Sequence, residues 1–477
     1  MCSIVGALCR ENTSQNQTNL NVLIEMSLQR GRDAFGVVRV YPNGAYMRLD
    51  DFGSARSVTA PGPWSALANL RGEPAPEWVR NKTEADVQPF HSPSGRWIFT
   101  HNGTIANDKA LGQQLWDEQH IEAPPTMIDS YVIGMALDEF GFEETVTKKL
   151  IGSFAILAID TQRPDVMYWA ANYKPLWCLG TSDGSQILFG SQRSYFTGCY
   201  NPLTEPGPVE LGPYEYGTVS GSSIYRETLY PLPSWPTPRR TLVVCSGGLD
   251  SSVAAWHQFK QGDDVTLLHF AMDAKAQGPE LRSVYQLAVA MYGGDISTKR
   301  QHDHVMVVPM DFFKVNAPSV LTDDTKEVNK NGAAGAELAT EWVPARNTVF
   351  AALAMAIAES QGFDTVVFGV NLEEGGAFPD NEPEWANKVR GLIPYAMKAY
   401  KPLEFLTPVG NLMKKEIVAM GLADGAPMEL SWSCYEGGDR HCGKCGPCFN
   451  RKTAFQMNGK EDPVFVAEVE VRHVVVN

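Results

Sequence analysis

Long hydrophobic runs are missing from this 477-residue chain. No stretch approaches the ~18 consecutive apolar residues of a membrane-spanning helix. The N-terminus also lacks the basic-then-apolar layout of a secretory leader, so a cytoplasmic chain with no membrane partner is expected. Positive charge is scarce. Lys and Arg number 40 against 55 Asp and Glu, a formal net charge of −15. The deficit is shared, with 17 basic against 25 acidic residues before about residue 230 and 23 against 30 after it. Tight polynucleotide binding usually rests on a basic surface, and this balance excludes one in bulk. The local exception is a cluster of basic residues at Arg440, Lys444, Arg451 and Lys452. There is no internal repeat and no low-complexity tract. With 44% apolar and 20% charged residues, the chain reads as an ordinary globular protein.

Its length exceeds what one hydrophobic core usually fills, so two domains are expected. The stretch "PLPSWPTPRR", residues 231–240, carries four prolines and can be neither a regular helix nor a central strand. The boundaries expected are therefore a first domain over 2–228, a linker over 229–240 and a second domain over 241–477. Short strand-like pieces dominate before the linker: "GVVRVY", "RWIFTHNG", "GSFAILAID", "VMYWAA" and "QILFGS". After it, strands and amphipathic helices alternate, as in "TLVVCSGG" followed by "SSVAAWHQF", which implies a parallel, doubly wound sheet.

"VVCSGGLDSSVAAW" places Ser246, Gly247, Gly248, Asp250, Ser251 and Ser252 between a buried strand and a helix. Glycines let the backbone approach a phosphate, while helix N-terminal amides and hydroxyls donate to it. The lysine of GxxxxGK[ST] is absent, which excludes the common nucleotide-triphosphatase loop. Near the other end, Cys434, Cys442, Cys445 and Cys448 are spaced C-x7-C-x2-C-x2-C. Four thiolates close a tetrahedral site and leave no open position, the pattern of a structural Zn2+; an iron–sulfur cluster is the other metal reading.

The glycine loop resembles the PP-loop of ATP pyrophosphatases, which cleave ATP between its α and β phosphates and adenylate a substrate. The resemblance narrows further with "CSGGLDSS", "LTDD", "VPARNTVFAALAMAIAE", "GVNLEEGGAFPDNEPE", "LTPVGNLMKKEI" and the four-cysteine segment. Together these resemble the QueC family, which makes 7-cyano-7-deazaguanine from 7-carboxy-7-deazaguanine, ATP and ammonia, over residues 240 to 456. The resemblance implies ATP, with Mg2+, at the phosphate loop. It also implies a nucleotide or deazaguanine pocket lined by Arg346, Asn347 and the segment around Asp380. Two pieces depart from the family pattern, "DAKAQGPELRS" after the second strand and Glu382 within "FPDNEPEW".

A domain that consumes ammonia gives meaning to "MCSIVGAL" at the other end. Removal of Met1 would leave Cys2 with a thiol and an α-amine on one residue, nucleophile and base together. "QRGRDAFG", "LRGEPA", "FTHNGTIAND", "MIDSYVI", "GSFAILAID", "NYKPLW" and "LFGSQRSYF" follow in the order seen in class II glutamine amidotransferases. The first domain therefore resembles that N-terminal-nucleophile family, which implies an αββα fold. By that resemblance Cys2 attacks the glutamine side-chain amide, and Asn102 with the Gly103 N–H forms the oxyanion hole. Arg71 would hold the substrate carboxylate and Asp129 its α-ammonium. Read alone, Asn102-Gly103 is a hairpin turn, Arg71 a surface charge and Asp129 a helix-start residue. Arg32 and Phe35 interrupt the family's loop, and the arginine segment is shortened to "LRGEPA".

The combined pattern resembles fused amidotransferase–QueC enzymes of archaea and some viruses (host cytoplasm in the viral case). The first expectation is a glutamine-dependent amidotransferase that turns 7-cyano-7-deazaguanine into its 7-formamidino, archaeosine-type form. The alternative is an ATP-dependent 7-cyano-7-deazaguanine synthase fed by glutamine. A further alternative is a non-catalytic binding protein with a relict glutaminase. An asparagine-synthetase-like enzyme would leave the four cysteines and "VPARN" unexplained. The partners expected are L-glutamine, ATP, a 7-deazaguanine as free base or within tRNA or DNA, and a second copy of the chain.

Overall fold

A computed structural model describes residues 3–29, 34–49, 63–71, 86–119, 128–221, 223–230, 238–294, 302–323, 325–328, 341–375, 378–398 and 403–466. The chain divides into two compact units, Met1–Pro231 and Leu232–Asn477. No helix among the described residues is long and apolar enough to cross a membrane.

In the first unit the strands are β1 (Ser3–Cys9), β2 (Ala34–Val40), β3 (Tyr46–Leu49), β4 (Trp64–Arg71), β5 (Phe90–His91), β6 (Trp97–Ile105) and β7 (Gly152–Asp160). They continue with β8 (Val166–Asn172), β9 (Trp177–Gly180), β10 (Gln186–Gly190), β11 (Val209–Glu210), β12 (Glu215–Ser220) and β13 (Ser223–Thr228). Two antiparallel sheets result, β11-β9-β10-β1-β4-β2-β3 and β13-β12-β8-β7-β6-β5. Side chains alternate across a strand, and here both faces of each sheet are apolar. Ile4 and Leu8 of β1 meet Ile98, Ala155 and Leu157 in the core between the sheets. Val5 and Ala7, on the opposite face, pack on Leu20, Leu23 and Ile24 of helix α1 (Ser14–Ser27). Trp97, Phe99 and Ile105 of β6 likewise pack outward on α2 (Asp108–Gln119) and α3 (Tyr131–Glu144). The layering is α-β-β-α, as the N-terminal-nucleophile resemblance implies.

The second unit is built on five parallel strands in the order β16-β15-β14-β17-β18. They are β14 (Arg240–Val244), β15 (Asp264–Ala271), β16 (Val305–Pro309), β17 (Thr365–Phe368) and β18 (Glu404–Leu406). Its helices include α4 (Leu249–Lys260), α5 (Gln277–Tyr292), α6 (Arg346–Gln361), α7 (Pro383–Ala396), α8 (Lys414–Asp424) and α9 (Gly446–Met457). Val243, Val265 and Leu267 face α4, α5 and α8, whereas Leu242, Leu268 and Val366 face α6 and α7. The chain moves from β14 to β15 on one side and returns to β17 on the other. That reversal opens a crevice at the carboxyl ends of β14 and β17, where doubly wound sheets bind ligands.

Candidate functional sites

In the first unit, two of the expected glutamine-site residues lie on β6 and a third is bonded to it. Asn102 and Gly103 lie inside that strand, paired with Ala155 and Phe154 of β7, and so form no hairpin turn. Gly103 has φ of +146°, and a Cβ there would sit 1.9 Å from the Ser153 carbonyl oxygen, so only glycine fits. Asn102 is buried, and its Nδ2 has no hydrogen-bond partner among the described residues. A buried donor without a partner is costly. Arg71 ends β4 and is 2% exposed, which removes the surface-charge reading. Asp129 precedes α3 and is tied to β6, accepting the Ile105 N–H on Oδ2 at 2.8 Å. Cys2 lies outside the described residues, as do residues 30–33 of the "RGRDAFG" loop.

Sequence reasoning passed over His101, although it stands next to Asn102 in "THNG". The Ser130 hydroxyl donates to Asp129 Oδ1 at 3.2 Å, so its oxygen accepts from His101 Nδ1 at 2.8 Å. That order leaves Nε2 as the bare nitrogen of a neutral ring. Burial pushes the His101 pKa down to about 4, aided by Lys174 and Arg71 and opposed by Asp129. The charges of Asp129, Lys174 and Arg71 therefore all bear on this imidazole. Lys174 had its own signal in "NYKPLW".

In the second unit, the phosphate loop follows β14. Gly247 has φ of +84°, and a Cβ there would lie 2.3 Å from the Glu280 carbonyl oxygen, so the loop is pressed onto the start of α5. Ser246 Oγ accepts the Gly248 N–H and lies 3.1 Å from Ser251 Oγ. Ser251 and Ser252 are buried, whereas Ser246 is exposed. Asp250 belongs to an unforeseen charge cluster. Lys414 Nζ donates to Asp250 Oδ2 at 2.5 Å and to Glu374 Oε1 at 2.8 Å. Asn371 Nδ2 adds a bond to Asp250 Oδ2 at 3.2 Å. Burial alone would lower the Lys414 pKa, but the two carboxylates outweigh it and hold the ammonium above its ordinary range. The ion pair crosses 164 residues and joins α4 to α8.

Arg346 opens α6, directly after Ala345, whose left-handed φ of 54° is uncommon outside glycine. Arg346 and Asn347 line the cavity above the phosphate loop. Asp380 acts on the backbone instead. Its Oδ2 accepts the Asn347 backbone N–H at 3.1 Å, and its carbonyl accepts from Asn347 Nδ2 at 3.0 Å. It fixes the start of α6, and its neighbour Asn381 lines the cavity. Glu280, half-buried in the same cavity, is pushed up to about 7 by burial, with Arg346 opposing.

The Sγ atoms of Cys434, Cys442, Cys445 and Cys448 all lie within 4.8 Å of one another. Backbone N–H groups of Cys442, Lys444 and Cys445 point at these sulfurs. Four clustered sulfur donors fit a closed metal site. The segment also reaches the phosphate loop, because the Trp432 N–H donates to the Gly247 carbonyl at 2.7 Å. Arg451 corrects the expected basic cluster. It is 1% exposed, donates to both Asp462 oxygens at 2.8 and 3.1 Å and also bonds the Met428 carbonyl, so it braces this segment and faces no solvent.

A family model described as queuosine biosynthesis protein QueC matches residues 240–459, and one described as a glutamine amidotransferase domain matches residues 78–198. A 7-cyano-7-deazaguanine synthase 2 from Sulfurisphaera tokodaii is 38% identical over 481 residues, covering 97% of this chain and 99% of that protein. A 7-cyano-7-deazaguanine synthase from Methanothrix thermoacetophila is 33% identical over 228 residues, covering 47% of this chain and 97% of that protein. Among solved structures, a glutamine PRPP amidotransferase from B. subtilis superposes with a TM-score of 0.37 at 13% identity, over 94% of this chain and 96% of that one.

Proposed function

The chain belongs to the QueC family, in a form that also carries a glutamine amidotransferase domain, and from that premise we propose an ATP-dependent, glutamine-fed 7-cyano-7-deazaguanine synthase. Its substrate is 7-carboxy-7-deazaguanine. The observation that carries this reading is the phosphate loop, complete and braced by the Asp250–Lys414–Glu374 cluster.

At the first site the Cys2 thiol adds to the glutamine amide carbon and its own α-amine takes the proton. Asn102 and the Gly103 N–H stabilise the oxyanion. Arg71 and Asp129 hold the amino-acid end of glutamine. Ammonia leaves, and water releases glutamate from the thioester. At the second site a carboxylate oxygen attacks the ATP α-phosphorus and pyrophosphate departs. Ammonia displaces AMP to give an amide, and a second adenylation turns the amide oxygen into a leaving group so that the nitrile forms. Ser246, Gly247, Gly248, Ser251 and Ser252 supply the loop that holds the phosphates, and Mg2+ accompanies the nucleotide. Arg346 and Asn347 face the substrate, with Asp380 holding their helix. Cys434, Cys442, Cys445 and Cys448 would hold Zn2+, which would supply a structural crosslink and keep the Trp432 contact to the loop in place.

The second reading converts the nitrile into a formamidine. It is favoured by the Methanothrix thermoacetophila relative, which bears the synthase name at under half of this chain's length. The extra domain then calls for an extra reaction. Adding ammonia to a nitrile expels nothing, however, and leaves the intact loop without work. Mass spectrometry with amide-15N glutamine decides. Labelled nitrile made from the 7-carboxy base only with ATP supports the synthase. Labelled formamidine made from the 7-cyano base overturns it in favour of the second reading.

A further inference from the structure

His269, on β15, is 2% exposed and lines the cavity above the phosphate loop together with Cys245, Phe270, Glu280 and Phe350. Its Nδ1 lies 3.0 Å from the Cys245 carbonyl oxygen. A carbonyl only accepts, so Nδ1 carries the proton. Burial lowers the His269 pKa, and the ring is neutral. Nε2 is therefore a bare acceptor, buried and without a hydrogen-bond partner among the described residues. An unmet acceptor of this kind in a ligand cavity is an anomaly that a ligand donor would remove.

The surroundings restrict what that donor is. A lone pair repels phosphate oxygens, which have the loop amides to bind instead. Phe270 and Phe350, which line the same cavity, stack on each other with centroids 4.2 Å apart and planes at 15° and give it an apolar aromatic wall. A flat heterocycle bearing an amino group suits such a wall and supplies the N–H. We propose that His269 is a specificity residue, whose Nε2 accepts a hydrogen bond from the exocyclic amino group of a purine-type base bound in this cavity. The inference rests on the functional reading above, which brings two such bases to the second unit: the adenine of ATP and the deazaguanine. Sequence reasoning had no signal for it, because a histidine inside "VTLLHFAM" reads as a core residue.

The test measures binding to the full chain by calorimetry with two ligand pairs. One pair is ATP and purine riboside triphosphate, which lacks the 6-amino group. The other is 7-cyano-7-deazaguanine and its analogue lacking the 2-amino group. Wild type should favour the amino-bearing member of one pair, and that pair identifies the base that His269 reads. His269→Asn keeps a donor for the Cys245 carbonyl and withdraws the acceptor. It should weaken the amino-bearing member about tenfold while leaving the analogue unchanged. His269→Gln, which brings a carbonyl oxygen to the place of Nε2, should recover most of the loss. Equal affinities for both members in wild type, or equal losses for both in His269→Asn, overturn the proposal and leave the enzyme reading standing. Wild type that binds neither ATP nor the deazaguanine overturns both.

Discussion

The two units treat the polar groups at their sites differently: the first leaves neutral groups unpaired, whereas the second pairs its buried lysine with carboxylates and leaves His269 Nε2 unmet. Around β6 of the first unit, polar atoms are left without partners: Asn102 Nδ2 and His101 Nε2 are both buried and unbonded among the described residues. Above β14 of the second unit, the charge is compensated, with Lys414 held between Asp250 and Glu374. The difference follows from the chemistry each unit is proposed to perform. A tetrahedral oxyanion exists only fleetingly, so a donor such as Asn102 Nδ2 must wait unpaired and the fold bears its cost, whereas the bare His101 Nε2 is an acceptor and serves no oxyanion. A nucleotide brings several permanent negative charges, and a loop that receives them needs its own charges fixed beforehand.

Cys2→Ala breaks the comparison most sharply. Product formation from glutamine should fall below detection, while formation from added ammonium salt should stay within about twofold of wild type, since no other residue supplies both thiol and amine. Glutamate release compared with ammonium-driven turnover measures both halves. Glutamine use surviving in the variant would show that the first unit works without its proposed nucleophile.

Lys414→Met comes next. It strands two mostly buried carboxylates without their cation, and removing one partner of a buried pair costs about 3–5 kcal/mol. The urea midpoint of the second unit should drop accordingly, with glutaminase activity retained. An unchanged midpoint would mean that the cluster is hydrated and not a brace.

Asn102→Ala sharpens the contrast from the other side. Glutaminase kcat should fall about 10²–10³-fold, the range for loss of one oxyanion donor. The melting temperature should hold or rise slightly, because the deleted donor had no bond to lose. Kinetics and thermal unfolding on one preparation would separate the two effects. A melting temperature that falls with kcat would mark Asn102 as part of the scaffold.

What was legible in the sequence was local. Alternating or apolar runs in "RWIFTHNG" and "GSFAILAID" announced sheet strands, which the fold pairs as β6 and β7, and "VVCSGGLDSSVAAW" announced a strand–loop–helix unit. The spacing of the four cysteines brought their sulfurs together as expected. What stayed hidden depends on partners far apart in the chain. Nothing near Lys414 tells that its ammonium meets Asp250, and nothing near Arg451 tells that Asp462 turns an apparent surface charge into a buried brace. The role of Asp380 likewise shows only in the folded chain, where it bonds Asn347 at the start of α6.

Glu280→Gln gives the smallest effect and tests whether compensation in the second unit is complete. Burial holds the Glu280 carboxyl up at about 7 against an ordinary 4.5, with Arg346 only partly opposing. The folded state thus binds this proton more tightly than the unfolded state does. Stability from this group is full below pH 4.5 and declines as pH rises to about 7; above that the penalty is constant. Gln carries no charge at any pH and escapes the decline. The variant should therefore match wild type near pH 4 and exceed it at pH 8 by up to about 3 kcal/mol in unfolding free energy. Denaturant unfolding of both proteins across that range measures the divergence. If the curves instead cross, with the variant weaker at pH 8, then Arg346 pairs fully with an ionised Glu280. The second unit would in that case be compensated throughout its cavity, not only at Lys414.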